Sequence, residues 1–298
     1  MAALIMVKGR HRGRPLQNMK FKKITIIGVG LIGGSIGLAI KKRRLAKEVI
    51  GVFRRDSTLK RALRRKAIDT GTLSVEEGVK GAGLIILAAP VSLIPVISRE
   101  VIKHAEKGAV ITDVGSTKKW IVDKVERLPR KSSGVFFVGS HPMAGSEHAG
   151  VEFAREDLLE NSPCIVTKTP KTNRTALEKV VNFWKALGAR VEIMSPAAHD
   201  RSVSLISHLP HIVAFSLAGA VPVRELARAA EGFKDTTRVA SSDPSLWTDI
   251  FLSNKKEILR SRRVFEKYYK KIMKAITDGN RRETVRLLKK AKAVREAV

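Results

Sequence analysis

Short apolar runs alternate with amphipathic stretches over residues 21–194. Runs of this kind are typical of buried parallel strands, and they occur at 24–27, 49–53, 84–89, 109–114, 135–138, 164–167 and 190–193. Helical periodicity lies between most of them, for example at 92–104, 117–127 and 173–187. Strands that alternate with helices predict an α/β domain of the Rossmann type with a doubly wound, mostly parallel sheet.

The pattern changes after residue 194, where the strand signals end. Residues 199–220 form a long apolar stretch, which Pro210 should kink rather than break. A later helix carries one apolar stripe, and Asp278, Gly279 and Asn280 form a turn before a last helix from residue 281. We therefore predict an all-helical second domain over residues 195–298. Its apolar face is typical of a homodimer interface, and a monomeric helical lid is the alternative.

The first 20 residues show no periodicity and carry basic residues without an acid. Their short apolar run at 4–7 is too short for the core of a signal peptide. We predict a disordered basic tail over residues 1–20, with Met19 as an alternative start. A nucleic-acid-binding arm is the other interpretation of such a tail.

Composition narrows the class of protein only partly. The 298 residues include 57 Lys and Arg against 28 Asp and Glu, a net charge of +29, which attracts anions without choosing among nucleic acid, acidic lipid and small phosphates. The single cysteine, Cys164, excludes an intrachain disulfide framework and fits a reducing, cytoplasmic location. The longest apolar runs, 24–27 and 84–90, are too short to cross a bilayer, so no membrane segment is expected.

A glycine-rich turn follows the first predicted strand and opens a helix. Gly28 permits the tight turn, Gly30 lets the backbone approach a pyrophosphate, and Gly33 lets the helix pack on the strand. Leu31 and Ile32 lie at the helix start, where exposed N–H groups and the helix dipole favour phosphate. This context predicts a dinucleotide site, with a purely structural glycine turn as the alternative.

The end of the second strand bears on the cofactor. Sites for NAD usually place an acid there to hold the ribose 2′-hydroxyl. This chain has Phe53 followed by Arg54 and Arg55, with no acid until Asp56. Because a guanidinium suits the 2′-phosphate of NADP, we expect NADP to be preferred over NAD. The alternative is that these arginines belong to the general basic bias.

Two segments that follow strands carry candidate chemistry. Ser116 lies in segment 113–118, and His141 lies in the glycine-rich segment 139–147, which ends at Glu147. Both segments are expected at the carboxyl edge of the sheet, where ligands bind in such folds. A neutral imidazole there can accept a proton. The alternatives are that Ser116 only caps a helix and that His141 is a hydrogen-bonded loop histidine.

The predicted helical domain contains a third set of candidate site residues. His208 and His211 are three apart and share a helix face, but a zinc site would need further ligands that the sequence does not reveal, so no metal is predicted. Buried structural histidines and substrate contacts remain the interpretations of this pair. Arg238 could bind a substrate carboxylate, or pair locally with Asp235.

The segments GVGLIGGS, DVGSTK, GSHPMAGSE, SHLPH, and GFKDTTR followed by SDPSLW occur in this order. Together they resemble the prephenate dehydrogenase family of tyrosine biosynthesis, over about residues 21–298. The resemblance implies an NAD(P)-binding Rossmann domain joined to a helical dimerisation domain. It also implies oxidative decarboxylation of prephenate to 4-hydroxyphenylpyruvate, or of arogenate to tyrosine in some members.

The resemblance assigns roles residue by residue. His141 matches the catalytic histidine that bonds the ring hydroxyl, and Ser116 matches the serine that orients this hydroxyl and the nicotinamide. Arg238 matches the arginine that binds a substrate carboxylate. The remaining matches are His211 near the substrate side chain, Glu147 as a gating acid, and Ser207, His208 and Trp247 as supporting residues.

We expect neither a mutase domain before this region nor a regulatory domain after it, and any inhibition by tyrosine is then expected to act in or near the active site. A different class of protein, one that senses NADPH and binds nucleic acid without turnover, is the remaining alternative. The enzymatic interpretation requires Ser116 and His141 to converge beside the glycine turn, and we therefore expect the structure to place them there.

Overall fold

The computed structural model describes residues 20–129, 134–146 and 148–297. These form two compact units, which divide between Pro196 and Ala197. The predicted tail, apart from Lys20, lies outside the described residues, and so does Glu147.

The first unit contains a six-stranded sheet in which every neighbouring pair is parallel. The strand order is β3-β2-β1-β4-β5-β6, the order of doubly wound dinucleotide-binding sheets, so the predicted fold class is confirmed. The strands are β1 Phe21–Ile27, β2 Ala46–Val52, β3 Thr70–Thr72, β4 Leu84–Leu87, β5 Val110–Asp113 and β6 Phe136–Val138.

Six helices accompany the sheet, of which the first five follow its strands along the chain and the sixth packs against β5 and β6. They are α1 Leu31–Lys42, α2 Asp56–Arg64, α3 Val75–Val79, α4 Ile94–His104, α5 Lys119–Glu126 and α6 Arg174–Ala186. The longest, α6, begins where the Asn173 side chain accepts a hydrogen bond from the Ala176 N–H at 2.9 Å. Val180, Phe183 and Trp184 then recur at helical spacing and are fully buried.

Three strands form a separate small sheet, β7 Ser140–Pro142, β8 Pro163–Thr167 and β9 Arg190–Met194, in which β7 is antiparallel to β8. The sequence analysis placed the last two of these strands in one sheet with the others, and that detail was wrong. It also placed His141 in a loop, whereas His141 lies in β7. Periodicity predicts an extended segment but not which sheet the segment joins, and a three-residue strand is too short to show a period.

The register of the large sheet brings four strand ends to one edge. Ile27 is paired with Val52 and Leu87, and Leu87 is paired with Asp113. Since these residues end β1, β2, β4 and β5, the loops that follow them lie along the same carboxyl edge. Ligands bind at this edge in open parallel sheets.

The second unit is helical throughout its described residues. Its helices are α7 Pro196–Val203, α8 Leu209–Ala220, α9 Glu231–Thr237, α10 Pro244–Ser253, α11 Lys255–Thr277 and α12 Arg281–Glu296. The predicted turn joins α11 to α12: Gly279 adopts a φ of +60°, and Asn280 caps α12 by accepting from the Glu283 N–H at 2.9 Å.

A π turn, Ser204–His208, joins α7 to α8 without breaking the helix. The Leu209 N–H donates to the Ser204 carbonyl, five residues back. Pro210, at the start of α8, has no N–H to donate to the carbonyl of Ile206, and its ring crowds that carbonyl. The distortion expected at Pro210 is thus located in the turn that precedes it.

The helix Pro196–Ala220 formed in this way has 25 residues, and an 18-residue window in it has a mean hydropathy of 1.5. By length and composition it could span a membrane, although a single helix of this kind also occurs inside soluble proteins. Serines and histidines divide its apolar residues into short runs, so the length of single apolar runs does not reveal this helix. Only 22% of that window is buried, and Leu205, Ile206 and Leu217 are exposed.

Candidate active site

The glycine turn after β1 has the geometry of a phosphate-binding turn. Gly28 adopts a φ of +92°, and a side chain there would come within 2.3 Å of the Ala88 carbonyl oxygen. A side chain at Gly33 would come within 2.1 Å of the Gly28 carbonyl oxygen. The fold therefore requires glycine at both positions. A side chain at Gly30 would meet nothing within 4 Å, so the space beside this residue is open.

The start of α1 presents unused backbone donors to this space. Gly30 is the N-cap residue and supplies no side-chain cap, Leu31 and Ile32 are the first two helical residues, and no acid lies in the first turn. The first N–H groups of a helix lack intrahelical partners, and the helix dipole favours an anion there. These residues fit a dinucleotide pyrophosphate, which the N–H groups would hold.

The end of β2 lies next to this turn, because the Gly28 N–H donates to the Val52 carbonyl at 3.2 Å. Phe53 is buried there, whereas Arg54 and Arg55 are exposed. Within the described part of the chain, neither guanidinium has a hydrogen-bonded or ion-paired partner. The first acid, Asp56, is in α2 and pairs with Lys60 at 2.6 Å.

The segment between β5 and α5 contains a fully buried ion pair. Asp113 ends β5, Lys118 precedes α5, and neither side chain has any exposed surface. The Lys118 ammonium donates to Asp113 Oδ2, which also accepts from the Gly115 N–H at 2.9 Å. Burial raises the pKa of Asp113, and Lys118 and two backbone N–H groups oppose that rise.

This ion pair also bonds to the main chain of Ser140, at the start of β7. The Ser140 N–H donates to Asp113 Oδ1 at 3.1 Å, and Lys118 Nζ donates to the Ser140 carbonyl at 2.8 Å. The Ser140 hydroxyl donates to the Asp113 carbonyl at 2.6 Å and accepts from Trp184 Nε1 at 2.9 Å. Ser140 is thus bonded on both its backbone and its side chain.

These bonds bring the segments of Ser116 and His141 together. Ser116 lies between Asp113 and Lys118 and is half-buried, whereas His141 directly follows Ser140 and is 8% exposed. The interpretation of Ser116 as a helix cap was wrong, because α5 begins only at Lys119 and its N-cap is Lys118. Both segments follow strands at the carboxyl edge that also carries the glycine turn.

The cysteine beside this network is not suited to nucleophilic chemistry. Cys164, in β8, is paired with Pro142 of β7. Burial raises the pKa of its thiol far above the ordinary value, so the thiol remains protonated.

In the second unit, His211 stacks on Trp247, with ring centroids 3.5 Å apart and an angle of 23° between the planes. Trp247 belongs to α10, whose first turn is fixed by the Asp243 carboxylate. This carboxylate accepts from the Ser245 and Leu246 N–H groups at 2.7 and 3.0 Å.

Burial and two neighbouring groups act on the pKa of the His211 imidazole. Partial burial lowers its pKa, and the nearby Arg238 guanidinium adds to this effect, while a hydrogen bond to the Ser207 carbonyl at 2.9 Å opposes it. Because carbonyl oxygen only accepts, Nδ1 carries the proton and Nε2 is the acceptor of the neutral ring. Arg238 is exposed, so an exposed cation and an imidazole with an acceptor nitrogen lie near each other.

His208 has a different environment from His211, although the two are three residues apart. Its ring has no exposed surface and lies 6.1 Å from the Trp247 ring in an edge-on arrangement. Asn254 Nδ2 lies 3.1 Å from His208 Nδ1 and donates to the Asp200 carbonyl at 2.9 Å. The buried structural interpretation therefore fits His208, while His211 has the geometry of a contact residue.

The sequence analysis missed the residues that hold these groups in place, namely Asp113, Lys118, Ser140, Trp184 and Asn254. A signal existed for the first two, since an acid at the end of a buried strand and a lysine before an amphipathic helix both adjoin Ser116. Their joint burial cannot be inferred from residue type. Among the described residues, no three His, Cys, Asp or Glu side chains cluster as metal ligands would.

Comparison with known families covers nearly the whole described chain. Residues 36–193 match the family model for the prephenate dehydrogenase nucleotide-binding domain. Residues 195–290 match the model for the prephenate dehydrogenase dimerization domain.

Curated relatives agree with this match. A prephenate dehydrogenase of Bacillus subtilis (strain 168) is 44% identical over 244 residues, which are 79% of this chain and 65% of the relative. The match therefore spans slightly less than two thirds of that protein. A prephenate dehydrogenase of Lactococcus lactis is 34% identical over 286 residues, covering 93% of this chain and 77% of the relative.

Solved structures resemble both units. The prephenate dehydrogenase from A. aeolicus in complex with hydroxyphenyl propionate and NAD+ has a TM-score of 0.85 and 32% identity, covering 93% of this chain and 98% of its own. A Synechocystis arogenate dehydrogenase has a TM-score of 0.77 and 30% identity, covering 92% of this chain and 99% of its own.

Proposed function

Because this chain belongs to the prephenate dehydrogenase family, we propose that it oxidises and decarboxylates prephenate to 4-hydroxyphenylpyruvate with NAD(P) as the hydride acceptor. The observation that carries the proposal is the buried network around Ser140. This network joins the segments of Ser116 and His141 at the sheet edge that bears the open glycine turn.

Prephenate has a ring hydroxyl at C4 and a carboxylate at C1. When bound, the nicotinamide supplies the acceptor for the hydride that leaves C4. His141, as a neutral imidazole, accepts the hydrogen bond of the C4 hydroxyl as this group becomes more acidic, and Ser116 orients the same hydroxyl. The bond from C1 to the carboxylate then breaks, its electron pair enters the ring, and the ring becomes aromatic as carbon dioxide leaves.

The second unit supplies substrate recognition in this proposal. The forked guanidinium of Arg238 binds a substrate carboxylate, and His211 contacts the substrate side chain. Ser207, His208 and Trp247 support His211, through the carbonyl bond and the aromatic contacts described above. Glu147 is assigned as a gating acid by family resemblance alone, since it lies outside the described residues.

A comparison of two substrates with two cofactors tests the activity. Purified protein is mixed with prephenate or arogenate and with NAD or NADP, and absorbance of the reduced nicotinamide is followed. We expect turnover with prephenate. Faster turnover with arogenate would replace prephenate by arogenate as the substrate, and no turnover in any of the four mixtures would contradict the proposal. In that case, salt-dependent nucleic-acid binding would support the non-enzymatic alternative.

The proposal includes a preference for NADP, with Arg54 and Arg55 binding the 2′-phosphate. It is supported by two exposed arginines without a side-chain partner in the described chain, which follow the end of β2, and this strand end is bonded to the glycine turn. We expect Arg54→Ala to weaken NADP binding about tenfold or more, by loss of a charge-assisted contact, and to leave NAD binding nearly unchanged. Fluorescence titration with each cofactor measures this ratio. The control is Arg174→Ala, which removes an exposed arginine that pairs with Glu178 on α6. Equal weakening of both cofactors would refute the preference.

We further propose that the protein is a cytoplasmic homodimer, in which the helix Pro196–Ala220 contributes to the interface and does not enter a membrane. The match of this unit to a dimerization domain supports this proposal. So do the exposed apolar side chains of Leu205, Ile206 and Leu217. Sedimentation velocity without detergent should give twice the chain mass of 32.8 kDa. A monomer at micromolar concentration would refute the dimer, and recovery only in detergent would favour a membrane segment.

A further inference from the structure

We propose that the buried Asp113–Lys118 ion pair is a positioning device, which fixes the main chain of Ser140 and through it holds His141 relative to Ser116. The inference concerns residues for which neither the sequence motifs nor the family resemblance provided a role. It builds on the proposed function, because the positioned group is the proposed hydrogen-bonding imidazole.

The pair bonds to both main-chain groups of Ser140, and so to the two peptide units that flank this residue. Asp113 Oδ1 accepts from the Ser140 N–H at 3.1 Å, and Lys118 Nζ donates to the Ser140 carbonyl at 2.8 Å. The Ser140 carbonyl belongs to the peptide bond that leads into His141. Rotation of that peptide would break the lysine contact and leave a buried ammonium with one fewer acceptor.

The same two side chains bracket Ser116. Asp113 precedes it by three residues and Lys118 follows it by two, and their direct contact closes the segment into a short loop. The loop is therefore held to β7 at both of its ends. A displacement of about 1 Å between reacting groups can cost roughly 100-fold in rate, so this connection bears directly on turnover.

Stability alone is a poor reason for such a pair. Both side chains have lost all contact with solvent, and replacing a buried ion pair by neutral groups of similar size is often neutral or stabilising. Removing only one partner leaves an uncompensated buried charge. A single variant should therefore be less stable than the neutral double variant. Activity measured in the stable double variant then reports on positioning separately from folding.

The decisive variant removes both charges, as Asp113→Asn with Lys118→Met. The single variant Lys118→Met is measured beside it. The matched control is Lys119→Met, which removes the next lysine, an exposed one whose partner is Asp123 at 2.6 Å on α5. Unfolding is followed by circular dichroism, and kcat is expressed per cofactor-binding site from a fluorescence titration, so that unfolded protein does not enter the rate.

We expect the double variant to recover folding relative to Lys118→Met but to keep a kcat about 100-fold below that of the original protein. Its cofactor dissociation constant should stay within about threefold, since the glycine turn is untouched. The Lys119→Met control should match the original protein in all three measurements. A double variant that folds and turns over within about threefold of the original rate would overturn the proposal.

A readout without substrate or cofactor keeps this inference distinct from the proposed function. The ring signals of His141 are assigned in a histidine-selective nitrogen NMR spectrum by comparison with His141→Asn. In the double variant they should shift and broaden or split, and in Lys119→Met they should not. If the original protein shows no turnover, the proposed function fails, while unchanged His141 signals in the folded double variant would independently refute the positioning role.

Discussion

The two units hold their candidate site groups in opposite ways. In the first, the groups that flank Ser116 and His141 are an ion pair and a serine without exposed surface, bonded to one another and to Trp184. In the second, His211 lies flat on Trp247, only partly buried, and Arg238 is exposed. A hydrogen-bonded buried network tolerates little displacement, whereas an aromatic stack constrains the separation of the rings more than their lateral position.

Under the proposed function, this contrast corresponds to different work in the two units. Proton and hydride chemistry needs groups held to within a fraction of an ångström, and the first unit provides such a setting. Binding of a carboxylate and a flexible side chain tolerates adjustment. Changes at Ser116 or His141 should therefore mainly lower kcat, and changes at His211 or Arg238 should mainly raise KM for the substrate.

The largest effect is expected at His141. Replacing it by asparagine removes the basic imidazole nitrogen that the proposed function assigns to the substrate hydroxyl, and kcat should fall by roughly 10²–10⁴ while the cofactor dissociation constant stays unchanged. Steady-state kinetics and cofactor titration measure both. The control is His104→Asn, which alters a half-buried histidine of α4 whose partners are Glu100 and Glu76. A loss of less than about tenfold would show that His141 is not the group that assists the hydroxyl.

A smaller effect, on KM rather than on kcat, is expected at Arg238. Replacement by glutamine removes a charge-assisted contact with a carboxylate, worth roughly 1.5–3 kcal/mol, so KM for prephenate should rise about 10- to 100-fold with kcat changed much less. Initial rates over a range of prephenate concentrations measure this. Arg228→Gln is the control, since Arg228 is exposed in the same unit and pairs with Glu225 at 3.0 Å. If kcat fell instead of KM rising, the division of work between the units would be wrong.

The smallest expected effect is a change in the pKa of His211. Burial and Arg238 hold the pKa of His211 below the ordinary value of about 6.5, so a histidine-selective NMR titration should give a midpoint below that value. Arg238→Gln should raise the midpoint, because it removes one of the two causes. Arg228→Gln should leave it unchanged. A midpoint that did not respond to Arg238 would contradict the nearness of the two side chains.

The same shift has a consequence for stability. Because the pKa of His211 is lower in the folded than in the unfolded chain, protonation favours unfolding. The contribution of this group is complete above about pH 6.5 and is lost as the pH falls through the folded-state value. The size of this contribution to the free energy of unfolding follows from the midpoint measured in the NMR titration.

Five strands of the large sheet were predictable for a physical reason, whereas the edge strand β3, Thr70–Thr72, has no apolar run and was missed. A central parallel strand is buried on both faces, so β4 consists of apolar residues alone. The glycine turn was predictable because its steric demands can be met only by glycine, as Gly28 and Gly33 show. In these places the local sequence alone imposes the structure.

Other features depend on partners distant in sequence. β7 consists of a serine, a histidine and a proline, and it is extended because it pairs with β8, more than 20 residues later. Asp113 and Lys118 are residue types of the protein surface, and only the tertiary fold buries both. Candidate residues could therefore be named from motifs, whereas the groups that hold them in place required the structure.

Because of the π turn at Ser204–His208, the orientation of α8 relative to α7 depends on the number of residues in this turn. A π turn contains one residue more than the α-helical turn it replaces, so the two helical segments on either side are out of phase by about 100°. Deleting one residue there, such as the exposed Ile206, would restore a regular helix and turn His211 and the rest of α8 by that angle relative to α7. An insertion or deletion at this single point would thus reorient the face of α8 that carries His211, a change that no single substitution in the turn would produce.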